Sequence, residues 1–299
     1  MNEQVSDNEW KKFFTAQWII NLILSITFIT IIIYKLIKTR DFKNIILYLI
    51  ALSFYFATRF TASALAIVYL NKTGYDTRGY SLYATTYIFQ VMGLGLIIIC
   101  FSLLIKHFQE RTEHDKVVEE KTNSAFHTRL RNSSSTNFVE KNSSDETDIE
   151  NTPIQEALSK VEKSKIDRSG WLQFLIITTY TSISIILYIT GPSLYASDPY
   201  DASESLTKVI SIMYIISTVL MILFSIIYSL KCRDYRLSIL LVGLASIILL
   251  IENIYLVIDA FQATDGSYKL LGSNAKMGIF TLLPQAFSTI LLEIAFLWW

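Results

Sequence analysis

LSILLVGLASIILLIENIYLVIDAF, residues 237–261, is a stretch of 25 residues with only two formal charges, Glu252 and Asp259. Wound as a helix at about 1.5 Å per residue, it is long enough to cross the roughly 30 Å hydrocarbon core of a bilayer. Six further runs of the same character lie at about 13–34, 45–70, 81–105, 170–191, 206–230 and 278–299. A soluble core does not explain that repetition. The sequence predicts an all-α, seven-transmembrane-helix bundle, and a bilayer as its first partner.

The distribution of charge agrees. The 26 Lys and Arg residues balance the 26 Asp and Glu residues, and 52% of the chain is apolar. Of those 52 charged residues, 24 fall between Lys106 and Arg168, which leaves the remainder depleted as spanning segments must be. The chain therefore divides into 1–105 (an N-terminal segment and helices 1–3), 106–169 (a charged, partly disordered loop) and 170–299 (helices 4–7). The first run is longer than the apolar part of a signal peptide and no small-residue cleavage site follows it, so helix 1 is expected to act as its own insertion signal.

Basic residues tend to remain on the cytosolic side. Lys35, Lys38, Arg40 and Lys43 mark the first loop, Lys231, Arg233 and Arg236 the fifth, and Lys160, Lys163, Lys165 and Arg168 the end of the third. The fourth loop instead carries Asp198, Asp201 and Glu204 with Lys208, and the sixth is mixed. The expected orientation has the N-terminus outside and the C-terminus cytosolic, in the plasma membrane or an endomembrane. Cys100 and Cys232 then lie toward the reducing side and are expected to be free thiols. Asn71-Lys72-Thr73 is a glycosylation acceptor sequence on the outer side, with Asn71 close to the end of helix 2.

Within the third loop, residues 106–121 are expected to continue helix 3, with opposite charges four residues apart at Lys106 and Glu110, Arg111 and Asp115, and Lys116 and Glu120. Residues 122–152 are rich in Ser, Thr, Asn and acids and are expected to be disordered. Ser143, Ser144 and Thr147 precede acidic residues, a context suited to acid-directed kinases. The 106–169 loop is the part available to a cytosolic partner.

Ionisable residues inside spans are costly and normally face a partner or a cavity. Arg59 lies mid-helix in the second run, with small residues Ala62, Ser63 and Ala66 on its face. Counted from the cytosolic ends, Arg59 and Glu252 reach a common depth. They are candidates for an intramembrane ion pair or ligand site, with Asp259, Gln90 and Gln285 as polar neighbours; the alternative is an internal clamp with no ligand. Glu293, nearer the cytosolic end of helix 7, is expected to reach the interface.

Several chemistries lack their residues. All three histidines, His107, His114 and His127, fall in the third loop as read above, so no imidazoles serve an intramembrane zinc or haem centre. Helix 7 holds no lysine for a retinal Schiff base. Neither H-E-x-x-H nor a P-loop pattern occurs. No enzyme activity, cofactor, metal or nucleic-acid partner is expected. Helix 3 ends Leu103-Leu104-Ile105-Lys106-His107 without the acidic-Arg-aromatic triplet of the common seven-helix receptors, and helix 7 lacks their Asn-Pro aromatic switch.

Arg59 followed by small residues, Met92-Gly93-Leu94-Gly95-Leu96, Glu252-Asn253-Ile254-Tyr255 with Phe261, and Leu282-Leu283-Pro284-Gln285 resemble the landmarks of a fungal family of seven-helix integral membrane proteins whose domain has no assigned function. That family tends to carry Arg where this chain has Glu252 and an acid where it has Gln285. Arg236, Gly243, Glu252 and Asp259 are spaced similarly to positions in the fungal lipid-translocating, drug-resistance-associated family, which would imply movement of lipids or amphiphiles. The functional expectation is a sensor or receptor-like membrane protein with a polar intramembrane site. A transporter or translocator of lipids or small amphiphiles, and a structural membrane scaffold, are the alternatives.

Overall fold

The computed structural model describes residues 7–39, 46–71, 80–135, 174–187, 200–262 and 278–298. Every regular element among them is a helix. In chain order these are α1 (Asp7–Thr39), α2 (Ile46–Asn71), α3 (Tyr80–Ser135), α4 (Phe174–Leu187), α5 (Tyr200–Lys231), α6 (Arg236–Gln262) and α7, which opens as a π-helical turn (Gly278–Leu282) and continues as an α-helix (Leu283–Leu297).

Six of them contain stretches long and apolar enough to cross a membrane: Asn8–Lys35, Ile46–Asn71, Ile88–Thr112, Ser205–Lys231, Arg236–Phe261 and Gly278–Leu297. The protein is accordingly a membrane-embedded helical bundle. The fourth predicted run, 170–191, is described only as the apolar helix Phe174–Leu187, shorter than a span in that part. Large apolar side chains are also left on the outer surface, among them Ile23, Ile29, Phe54, Ile226, Ile247 and Phe287. An apolar exterior running over several helices is costly in water and is the surface lipid chains cover.

α3 is the axis of the bundle. It packs against α2, α5, α6 and α7, while α1 lies on α2 and α7, and α6 lies between α5 and α7. The most apolar part of α3 is 72% buried against 22% for α1, so α3 is enclosed by protein and α1 is largely presented to lipid. Leu94, Ile97, Ile98, Cys100, Phe101, Leu104 and Phe108 of α3 form the middle of the main core. Trp10 and Phe14 of α1 meet Ala66 and Leu70 of α2 in a smaller cluster at the opposite end from the α3 extension.

Local sequence explains the connections. α5 and α6 are joined by the four residues Cys232–Tyr235, closed by Cys232 N–H donating to Tyr228 O (2.8 Å) and Arg236 N–H to Arg233 O (3.3 Å), which makes the two helices an antiparallel hairpin. Pro284 falls in the first turn of the α-helical part of α7, where its missing N–H costs no intrahelical bond. Cys100 and Cys232 are both buried and are not bridged to each other.

α3 reaches farther than expected. Its helix was expected to give way to disorder from residue 122, yet it runs unbroken to Ser135, 56 residues in all. Once a helix is nucleated each further residue adds a hydrogen bond at little cost; the Lys106–Glu110 ion pair at 3.4 Å lies just before the extension, at the end of the apolar stretch. Extension and hairpin also touch: Tyr235 stacks on Phe108 (ring centroids 5.4 Å, 23°) and its hydroxyl donates to Asp115 Oδ2 at 3.4 Å. Burial, then the Asp115 carboxylate, pushes the Tyr235 hydroxyl above its ordinary range. Residues 136–173, with the modification candidates Ser143, Ser144 and Thr147, lie outside the described residues.

Gly95 sets the approach of α4 to α3. A methyl group there would meet Ile185 Cδ1 at 2.7 Å, Ile185 Cγ1 at 2.8 Å and the Tyr214 hydroxyl at 3.1 Å. Gly95→Val is expected to destabilise the protein by about 1–3 kcal/mol through overpacking, and Ile185→Ala in the same chain to restore part of the loss. Thermal unfolding in lipid nanodiscs, with the single and double variants compared, checks both outcomes.

Candidate functional site

A run of buried residues on one face of α2, at spacings of three and four, brings Tyr48, Leu52, Tyr55, Arg59, Ser63 and Ala66 against the rest of the bundle. Arg59 is 0% exposed. Its side chain crosses to α3, where Nη1 donates to the Gln90 backbone carbonyl at 3.0 Å and to Gln90 Oε1. Gln90 in turn forms a reciprocal amide pair with Gln17 of α1: each Nε2 donates to the other Oε1 at 3.2 Å. One side chain of α3 thereby ties α1 and α2 together inside the apolar layer.

Gly93, one turn along α3, makes room for this arrangement. A Cβ at that position would lie 2.8 Å from Arg59 Nε, 3.0 Å from Cδ and 3.3 Å from Cζ. Only a residue with no side chain lets the guanidinium lie against the α3 backbone.

The other half of the layer is built by α6 and α7. Glu252, 2% exposed, accepts through Oε1 from Gln285 Nε2. Thr289, one turn beyond Gln285, donates to the Gln285 carbonyl at 2.8 Å. Its one proton is thereby used, so the Tyr55 hydroxyl, 3.1 Å from Thr289 Oγ1, is the donor between them. Tyr55 therefore joins the Arg59 half on α2 to the Glu252 half on α7. Ser288 Oγ donates to the Ala245 carbonyl at 2.9 Å, and Asn253 Nδ2 to Thr218 Oγ1 at 2.7 Å, tying α6 to α7 and to α5.

Arg59, Gln90, Glu252 and Gln285 thus occupy one buried layer. The direct Arg59–Glu252 ion pair weighed from the sequence is not formed. Arg59 acts on Glu252 electrostatically, but each is hydrogen-bonded to its own amide, Gln90 or Gln285. The reason is proximity: the amides stand on helices adjacent to each charge and reach it first. Asp259 is not in the layer. It lies seven residues along α6, half-buried and within electrostatic range of Tyr255, whose ring stacks on Phe280 of the π turn (5.3 Å, 10°).

Three other positions bear on the sequence reading. Asn71 is the exposed last residue of α2. Glu293, expected at the interface, is instead 3% exposed in the α7 face toward the core, with Oε1 lacking a hydrogen-bond partner. His107 also lies within the apolar stretch of α3 and is buried, not in the loop as expected. The helix-period spacing of Gln285, Thr289 and Glu293 and of Gln17 and Asn21 was a legible sign of polar stripes that sequence reasoning passed over. Tyr55, on the Arg59 face of helix 2, and Gly93, in the Met92-Gly93-Leu94-Gly95-Leu96 segment, were visible in the sequence, but their contacts were not.

The layer offers hydrogen-bonding capacity that its own residues do not use. Arg59 Nε and Nη2, Glu252 Oε2 and Asn253 Oδ1 are buried without a hydrogen-bond partner. Unused donors and acceptors in a low-dielectric interior cost stability unless something fills them. Among the described residues no three His, Cys, Asp or Glu side chains come together to hold a metal ion.

The chain matches no family model, no curated protein and no solved structure.

Gly93→Ala is expected to force the guanidinium off α3 and weaken its bonds to Gln90, destabilising the protein by about 1–3 kcal/mol. Gly93→Ala combined with Arg59→Leu should lose less than the two single losses added together. Unfolding midpoints of the four proteins measure this, and strict additivity would refute the contact.

Proposed function

We propose that this chain is a seven-helix integral membrane protein, N-terminus outside and C-terminus cytosolic, that works as a sensor or receptor-like protein and not as an enzyme. The buried Arg59–Glu252 layer is its sensing site, and the third loop is its output toward a cytosolic partner. The observation that carries this reading is the continuity of α3. The helix that holds Gln90 and Gly93 against Arg59 runs unbroken to Ser135, about 68 Å farther on, and its apolar stretch ends at Thr112. A rigid element with the polar site at one end and an extension beyond the bilayer at the other can convert a change in Arg59 contacts into movement outside the membrane. The stacked Tyr235 on Phe108 gives the α5–α6 hairpin a hold on the same element.

Transport is the second reading. It is favoured by a polar layer assembled from several helices with donors and acceptors left open, the arrangement from which midplane substrate sites are built. Membership of the fungal seven-helix family, and residence in the plasma membrane or an endomembrane, belong with the sensor reading.

Spin labels test the coupling. In a Cys100→Ser, Cys232→Ser background, labels introduced at Lys12→Cys and Lys116→Cys report the distance between the outer end of α1 and the α3 extension. Arg59→Gln is expected to shift that distance distribution by about 2 Å or more, the scale of helix shifts in switching proteins. Superimposable distributions from folded wild-type and variant protein would contradict the sensor reading.

A further inference from the structure

Taking the polar layer to be a ligand site, as the functional reading does, its geometry also specifies the ligand's charge pattern. Arg59 Nη1 makes both bonds to Gln90, and the guanidinium carbon lies 5.8 Å from the centroid of the Tyr55 ring. Nε and Nη2 are buried with no hydrogen-bond partner. These two nitrogens share one edge of the guanidinium, and their parallel N–H bonds match the paired oxygens of a carboxylate or phosphate.

α3 does not close that edge. The point where a Gly93 Cβ would stand is 2.8, 3.0 and 3.3 Å from Nε, Cδ and Cζ. A point lying along the Nε–H bond would be well over half an ångström farther from both carbons than from the nitrogen. The nearly equal distances put Gly93 over the flat face instead, so the helix stacks on the guanidinium and leaves the plane of its N–H bonds unobstructed from that side.

Glu252 presents the complementary group. Gln285 uses Oε1, Oε2 is buried without a partner, and so is Oδ1 of the adjacent Asn253. Arg59 is within electrostatic range of this carboxylate without touching it. With Glu252 ionised, a simple anion at Arg59 would be repelled by Glu252, and a simple cation at Glu252 would be repelled by Arg59. A molecule carrying both charges satisfies both groups and adds no net charge to the membrane interior.

We propose that the layer binds a small zwitterion, with its oxyanion on Nε and Nη2 of Arg59 and its ammonium on Oε2 of Glu252. A free amino-acid-like solute and the headgroup of a zwitterionic lipid both have this chemistry.

The test uses the full chain in phosphatidylglycerol nanodiscs. Thermal unfolding is followed during titration with glycine, with acetate and ethylammonium as single-charge controls, and in parallel discs in which phosphatidylethanolamine replaces part of the lipid. A saturable rise of the midpoint is expected in one arm. Glycine should act at about tenfold lower concentration than either control, or phosphatidylethanolamine should stabilise where phosphatidylglycerol does not; the two results identify a free solute and a headgroup respectively. The response should vanish in Glu252→Gln and in Arg59→Lys, which keeps the positive charge but lacks the two-donor edge. Absence of a wild-type response in both arms, or an equal response in the folded variants, overturns the proposal. The spin-label experiment is independent of this one: zwitterion binding with an unmoved α3 extension would remove the sensor reading and keep the site, and the opposite pair of results would do the reverse.

Discussion

The constraint on which this structure turns is the burial of one guanidinium. Arginine is always charged, and placing it at the centre of an apolar bundle costs several kcal/mol unless the bundle supplies hydrogen bonds and a counter-charge. Arg59 receives the first from Gln90, which is itself held by Gln17, and lies within electrostatic range of the Glu252 carboxyl. Each compensation comes from a different helix. The order of α1, α2, α3, α6 and α7 around the layer is the order in which these groups must be brought together.

α3 is central for the same reason. It provides both the amide that binds Arg59 and the glycine that admits it, and its remaining inward positions are large aliphatic and aromatic side chains that fill the space around the layer. Tyr55 closes the arrangement from α2 to Thr289 of α7, so the two halves are linked by hydroxyls and amides in place of an ion pair. Neutral links of this kind leave part of each charged group unspent. Nε and Nη2 of Arg59 and the second oxygen of Glu252 are buried without hydrogen-bond partners, and the proposed ligand site rests on that.

The membrane character of the fold was legible in the sequence because it depends on length and hydropathy alone, and six of the seven apolar runs recur as helices of spanning length. The choice of Arg59, Gln90, Glu252 and Gln285 as one group was also legible, since ionisable and amide side chains in such runs are few and their depths could be counted. Which of them touch was not. Depth along a helix says nothing of rotation about its axis or of which neighbour stands closer, and those decided in favour of Arg59–Gln90 and Gln285–Glu252. The reach of α3 to Ser135 was missed because a polar composition was read as disorder, when a long helix already nucleated at Tyr80 can propagate through it. Glu293 was placed at the interface from its position near a helix end, but it shares the inward face of α7 with Gln285 and Thr289.

The claim at the centre of this account is that Arg59 is held by Gln90 and not by Glu252. A pair of double-mutant cycles, Arg59→Leu with Gln90→Leu and Arg59→Leu with Glu252→Leu, measures the two interactions by unfolding in the same lipid. The structure predicts a coupling of about 1–3 kcal/mol between Arg59 and Gln90 and a smaller one between Arg59 and Glu252. A larger coupling to Glu252 than to Gln90 would contradict it and would restore the direct ion pair.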